Sequence, residues 1–273
     1  MELIIYFLIF IMGSFFGSFF TLAVYRIPLK QDIIHKHSYC PNCNHKLGTF
    51  DLIPIFSYIF LKGKCRYCNT KIRPRYFLLE IFSGTIFLLL ALSIRINFYE
   101  LEIAKLIYFI FGTMYVSTLF IIAGIDKEKK YISKSVLLFG IITTVIYMIY
   151  LYILENANIY RYVIYLIIIC IIILMQTIKL KKKGKEDYWM QMITLIIYTV
   201  LFTGEYIFVI SAIIFLILIP IISYLNKKFN KKTKYVKSNK MILQNFPFGF
   251  YYITINLIIW IMTNFYITYI FGG

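Results

Sequence analysis

The chain has 273 residues, 61% of them hydrophobic and 19% aromatic, with a formal net charge of +17. A water-soluble domain of this size must present a polar surface that such a composition cannot supply. The mean hydropathy of +0.78 agrees, so a soluble globular enzyme is excluded. A nucleic-acid binder is excluded too, because the cations fall in short intervals between apolar runs and not on a folded basic face.

Eight apolar runs are long enough to suggest membrane spans: roughly 3–25, 77–94, 103–124, 136–153, 162–178, 191–204, 207–224 and 251–271. The sixth is short. The first begins at Glu2, lacks a basic start and runs into a polar segment after Arg26 without a small-residue cleavage site, so it reads as a retained span and not a signal peptide. The intervals 26–76, 125–135, 179–190 and 225–240 hold 10, 4, 5 and 7 Lys or Arg, which is 26 of the 29 in the chain. Only Arg95, Lys105 and Arg161 lie near the opposite ends. That split predicts four cytosolic intervals and both termini outside. The basic loops are also suited to anionic lipid headgroups. The expected fold is an all-α polytopic membrane protein of about eight transmembrane helices, with a small cytosolic four-cysteine zinc-binding loop between the first two. Three segments follow: a first transmembrane helix at 1–25, a cytosolic zinc-binding loop domain at 26–76, and a membrane domain of about seven helices at 77–273.

The zinc expectation rests on a repeat. CPNCNHKL at 40–47 and CRYCNTKI at 65–72 share Cys-x-x-Cys-Asn-x-Lys, offset by 25 residues. Each half reads as a knuckle presenting two thiolates, and Cys40, Cys43, Cys65 and Cys68 together complete a tetrahedral sulfur set. Disulfides would need an oxidising compartment, and a redox pair needs only one such motif. His35, His37 and His45 read as surface residues beside a filled shell, and Cys170 as a small hydrophobe within the fifth run. DLIPIFSYIFLKG at 51–63 is apolar but too short to cross. With Pro54 it predicts a short helix that lies along the membrane surface or dips into it, pinning the zinc module against the cytosolic ends of the spans, or else serves as core for the knuckles.

Four aspartates occur: Asp32, Asp51, Asp126 and Asp187. Asp126 ends the third apolar run, and Asp187, after Glu186, opens the sixth at the same cytosolic depth, 61 residues later. Two converging carboxyl groups can share a proton, one acting as base and the other as acid toward a water, as in aspartic proteases. A solvated loop charge at Asp126 and a helix cap at Asp187 are the competing explanations. Glu186 competes for the role of second carboxylate.

From about residue 13 to 251 the chain resembles the bacterial type IV prepilin peptidases, the leader peptidase/N-methyltransferases, which are intramembrane aspartic proteases of the Gly-x-Gly-Asp type. GSFFTLAVYRIP at 17–28 resembles their N-terminal signature, with Thr21 where Asn is usual. The two cysteine pairs, DLIPIFSYIFLKGKCRYC at 51–68 and RPRYFLLEIFSG at 73–84 also match. The resemblance implies that Asp126 and Asp187 are catalytic, with Gly184 on the first glycine of the motif. FPFGF at 246–250 resembles the segment before the last span, which brings in Gly249. Glu186 replaces the motif's second glycine, Trp189 stands where lysine is usual, and Ser133 replaces a proline. Gly184, Glu186 and Gly249 are therefore candidate modulators of the dyad.

By resemblance, the substrates are prepilins or pseudopilins of type IV pilus, type II secretion or competence systems. They would be cut after the leader glycine at the cytosolic face of the inner membrane. A second implied activity is methylation of the new N-terminus with S-adenosylmethionine. No glycine-rich dinucleotide-type signature accompanies it. Gly17, Ser18, Arg26, Asp51 and Glu80 are its candidate site residues, or equally a structural site. The alternative is a catalytically degenerate homologue or a non-enzymatic assembly protein whose zinc loop docks a partner. Nothing in the sequence fixes an oligomeric state.

Overall fold

The computed structural model describes residues 2–33, 37–96, 102–155, 160–183, 187–230 and 246–270. Among these there is no strand, only two isolated bridges in the cysteine loop. The helices are α1 (Glu2–Arg26), α2 (Phe56–Phe60), α3 (Pro74–Ser93), α4 (Ile103–Lys129), α5 (Lys134–Glu155), α6 (Tyr160–Lys183), α7 (Tyr188–Thr203), α8 (Glu205–Asn230) and α9 (Phe248–Ile270). Every one of the eight apolar runs coincides with a helix. Among the described residues, six helices are long and apolar enough to cross a membrane. The fifth and sixth runs give the shorter apolar helices Val163–Ile178 and Tyr188–Thr203. The chain is thus a helical multi-pass membrane protein with four cysteines between its first two spans.

The chain divides into two compact units, Met1–Thr113 with Asn264–Gly273, and Met114–Thr263. In the first, α1 and α3 meet along a seam of small residues. A Cβ added to Gly13 would lie 2.9 Å from the Gly84 Cα, and one added to Gly17 would lie 2.8 Å from the Glu80 Cα. Such close backbone approach is how apolar helices associate in lipid, where burial itself offers no gain.

In the second unit, four residues of α4, Tyr115, Leu119, Ile122 and Asp126, follow helical spacing and are each no more than 1% exposed. The Tyr115 ring stacks on Phe202 at 4.3 Å, and its hydroxyl donates to Asn256 Oδ1 at 2.8 Å. The Thr199 and Tyr252 hydroxyls are 2.6 Å apart. These bonds tie α4, α7 and α9 together, and in a membrane interior each polar group needs such a partner. Three turns beyond Tyr115, the same stripe places Asp126 beside the N-termini of α7 and α9.

Candidate active site and candidate metal centre

The cysteine module is built locally. In each knuckle the asparagine N–H after the second cysteine returns to the first cysteine's carbonyl, Asn44 to Cys40 at 2.8 Å and Asn69 to Cys65 at 3.0 Å. Both asparagines have φ of 55°, a left-handed conformation that Asn tolerates better than most residues. The repeat in sequence is therefore a repeat in backbone. The bridges Tyr39–Lys46 and Lys64–Lys71 close the two turns in the same register.

All four sulfurs lie within 4.8 Å of one another and can hold a metal ion. A tetrahedron of sulfurs about 2.3 Å from a central zinc has edges of roughly 3.8 Å. Cys40 Sγ and Cys68 Sγ are 3.8 Å apart. Hydrogen bonds from Thr70 and Asn42 lower the Cys68 thiol to about 6. The His45 N–H draws Cys43 down, but burial and the neighbouring Cys68 and Cys40 push it up to about 11. Neutral pH thus favours the thiolate at Cys68 and the thiol at Cys43, and metal binding would favour the thiolate at each. His45 is not a ligand in this arrangement: its ring packs on Tyr67 at 3.6 Å. His37 offers its carbonyl to Arg26, and His35 lies outside the described residues.

The five residues considered for S-adenosylmethionine occupy three places, each with a structural task. Gly17 sits in the helix seam. Ser18 bonds Glu80, whose Oε2 accepts the Ile55 N–H at 2.8 Å. Arg26 is 2% exposed and donates to the carbonyls of Asp32 and His37. Asp51 accepts from the Gly48 N–H, from Arg66 Nε at 2.6 Å and from the Tyr67 hydroxyl, so it ties one knuckle to the other. Burial pushes its carboxyl up, but Arg66, Gly48 and Tyr67 together hold it below the usual carboxylate range. Asp51 alone of the five borders a cavity of about 540 Å³ in the loop, and both its oxygens are already engaged. The five do not converge on one place.

Asp126 has a different setting. It is 0% exposed, near the C-terminal end of α4. Its Oδ2 accepts the Phe250 N–H at 2.9 Å, from the first turn of α9, where the helix dipole favours negative charge. Its Oδ1 is buried and has no hydrogen-bond partner among the described residues. A Cβ on Gly249 would come within 3.0 Å of Oδ2, so a glycine is what allows α9 to approach. Lys127 caps this face with its ammonium 4.4 Å from the Phe250 ring centre. Burial pushes the Lys130 ammonium down, and Asp126 partly offsets that.

Asp187 is the N-cap of α7, with Oδ1 accepting the Trp189 N–H at 3.2 Å. Next to it, the Tyr188 hydroxyl accepts the Gly249 N–H at 3.2 Å and lies against the Asp126 carboxylate. Asp126, Gly249 and the N-terminus of α7 are therefore brought to one place. Tyr188, which links them, carried no signal in the sequence beyond its adjacency to Asp187. Trp189 is 60% exposed and packs on Phe248 at 5.3 Å, while Ser133 is buried at the start of α5. Gly184 and Glu186 lie outside the described residues.

Helical spans, a four-thiol loop and a buried aspartate beside a capped helix start define a polytopic membrane protein. Residues 11–94 match the bacterial peptidase A24 N-terminal domain family. The chain is similar to the prepilin leader peptidase/N-methyltransferase of Myxococcus xanthus, 38% identical over 79 residues, 29% of this chain and 24% of that one. It is 36% identical over 132 residues to the protein of that name from Bacillus subtilis, covering 48% and 50% of the two chains. The Klebsiella pneumoniae protein is 31% identical over 128 residues, 45% and 52%. The chain spans about a quarter to a half of the length of these relatives. No solved structure matches. These similarities are to bacterial prepilin leader peptidases, and the family match lies in residues 11–94.

Proposed function

We propose that this chain is an aspartic endopeptidase that removes leader peptides from prepilins or pseudopilins, with Asp126 and Asp187 as its catalytic pair. The observation that carries the reading is Asp126 Oδ1, a carboxylate oxygen fully buried without a partner among the described residues. Leaving such an atom unsatisfied costs on the order of 1–3 kcal/mol, so the position favours a group kept for chemistry. The Phe250 N–H fixes the other oxygen and leaves Oδ1 as the working atom. One carboxyl takes a proton from a water, which adds to the leader glycine's own carbonyl carbon, while the other gives its proton to that carbonyl's oxygen. Collapse of the gem-diol adduct breaks the C–N bond: the protonated carboxyl gives its proton to the leaving nitrogen, the other takes one from a gem-diol hydroxyl as the acid forms, and the pair again shares one.

The loop metal is zinc, as four thiolates favour, and its role is structural. The inner membrane is the location that fits, with the basic intervals, the zinc loop and the acidic site on the cytosolic face and both termini outside. Relatives named for a second activity make N-methyl transfer part of the proposal, but no step through S-adenosylmethionine is assigned to residues here. A non-catalytic docking role draws on one observation, the capping bond that Asp187 makes to Trp189.

Cleavage of a purified prepilin by the purified chain in lipid, followed by mass analysis of the product, separates the two. Asp126→Asn and Asp187→Asn each abolish cleavage if the proposal holds. Processing by both variants at the parent rate ends it.

A further inference from the structure

We infer that residues 50–62 of the cysteine loop form a shallow re-entrant anchor, whose exposed aromatic face is occupied by the bilayer interface. The depth comes from contacts to α3. Arg73 and Arg75 mark the start of that span. Glu80 lies six residues past Pro74, about 9 Å further along the helix axis, and its carboxylate holds the Ile55 N–H at 2.8 Å. Tyr58 then stacks on Phe77 at 4.9 Å, about one turn nearer the arginines. The segment therefore dips to the level of Glu80 at Pro54–Ile55 and climbs back along the first turns of a membrane-crossing helix.

The turn-round is tight. Ile55 has φ of +64°, a conformation that costs a β-branched residue strain, and the Glu80 bond holds it there. Gly63, at φ +67°, closes the return, and a Cβ there would press into the Tyr58 ring at 2.9 Å. Tyr58 faces α3, so the opposite face of α2 is left open. Phe56 is 44% exposed, Ile59 56% and Phe60 79%, and Phe50 just before them 75%. Four large apolar side chains on a short segment, at the depth of a span, meet acyl chains and headgroups before they meet water. Lys62 and Lys64 follow at once and are exposed, placed to reach the phosphate layer with their ammonium groups.

The consequence is that the metal loop is held down on the membrane at two points besides its ends, through Glu80 and through the inserted rings. This inference does not depend on the peptidase reading.

Phe60→Trp tests it, in nanodiscs of mixed zwitterionic and anionic phospholipid, with the signal of Trp189 and Trp260 subtracted using the parent protein. The introduced indole is expected to be quenched by lipids brominated near the top of the acyl chain, with several-fold weaker iodide quenching than in free tryptophan. Strong iodide quenching with none from brominated lipid overturns the inference. On the unaltered chain, a diazirine placed near the lipid headgroup should label the peptide containing residues 50–62. Labelling confined to the spanning helices would overturn it as well.

Discussion

The cysteine loop and the acidic site are assembled by opposite means. In the loop, each knuckle is closed by bonds between residues only a few positions apart, and the two halves repeat one backbone. At Asp126 the partners come from α9 and α7, 124 residues away at Phe250 and 61 away between Tyr188 and Gly249. Spacing within a short window is enough to specify the first. The second exists only once three helices have packed along the stripe that runs from Tyr115 to Asp126. A metal site built locally survives changes elsewhere, whereas a site built from helix ends inherits every change in their packing.

The largest expected effect tests that contrast directly. Asp126→Asn should lower prepilin cleavage by about a thousandfold or more, as loss of an acid–base group in a cooperating pair does. Metal content measured on the same sample should stay at the parent value. In the opposite direction, Cys40→Ser or Cys65→Ser should bring bound metal from one equivalent per chain to near zero by elemental analysis. Protease cutting within 37–73 should increase. A coupled loss of metal in Asp126→Asn would show that the two regions are not independent.

Much of this was legible in the residues, and the limits follow the same contrast. The offset of 25 between CPNCN and CRYCN specified four sulfurs able to hold a metal ion, and Asn44 and Asn69 supplied the left-handed turns that make the repeat structural. The apolar runs specified where helices lie, since a bilayer requires backbone bonds to close within each segment. They did not set helix ends: the sixth run, expected at 191–204, begins at Tyr188, because Asp187 caps it. Tyr188 was missed for a related reason, as its partner Gly249 lies 61 residues further along the chain. Gly17 and Glu80 stood out as candidates for a cofactor or a structural site, and in the structure they sit against each other in the helix seam. Their polar or small character answers to helix packing and to the Ile55 amide, contacts that no spacing announces.

Two glycines beside carboxylates sharpen the comparison at smaller amplitude. A Cβ on Gly249 would meet Asp126 Oδ2 at 3.0 Å, closer than ordinary contact, with the Met192 sulfur at 3.4 Å on the other side. A Cβ on Gly48 would meet Asp51 Oδ2 at 3.6 Å, ordinary van der Waals distance. Gly249→Ala should therefore displace the Asp126 carboxylate by a few tenths of an ångström and cut cleavage by about tenfold, through misplacement rather than unfolding. Gly48→Ala should leave metal content and cleavage unchanged. Equal effects from the two would mean that the approach of α9 to Asp126 is not what positions the acid.

The smallest effect is a pH difference at Asp51. Its carboxyl is held below the ordinary value of 3.8, with burial opposed by Arg66, Gly48 and Tyr67. A carboxyl depressed in the folded state stabilises it above its unfolded pKa, and that contribution is lost as pH falls through the folded value. Asp51→Asn keeps the shape but removes the charge that Arg66 pairs with. The variant should melt about 2 °C below the parent at pH 6, a modest shift because Arg66 is half exposed and the pair is screened by solvent. The two proteins should converge as pH falls through the folded value of Asp51, since the parent then carries a neutral Asp51 as well. Melting curves of parent and variant at a series of pH values below 6 check the sign. A gap that widens toward acid would show that the ion pair with Arg66 is not what joins the two knuckles.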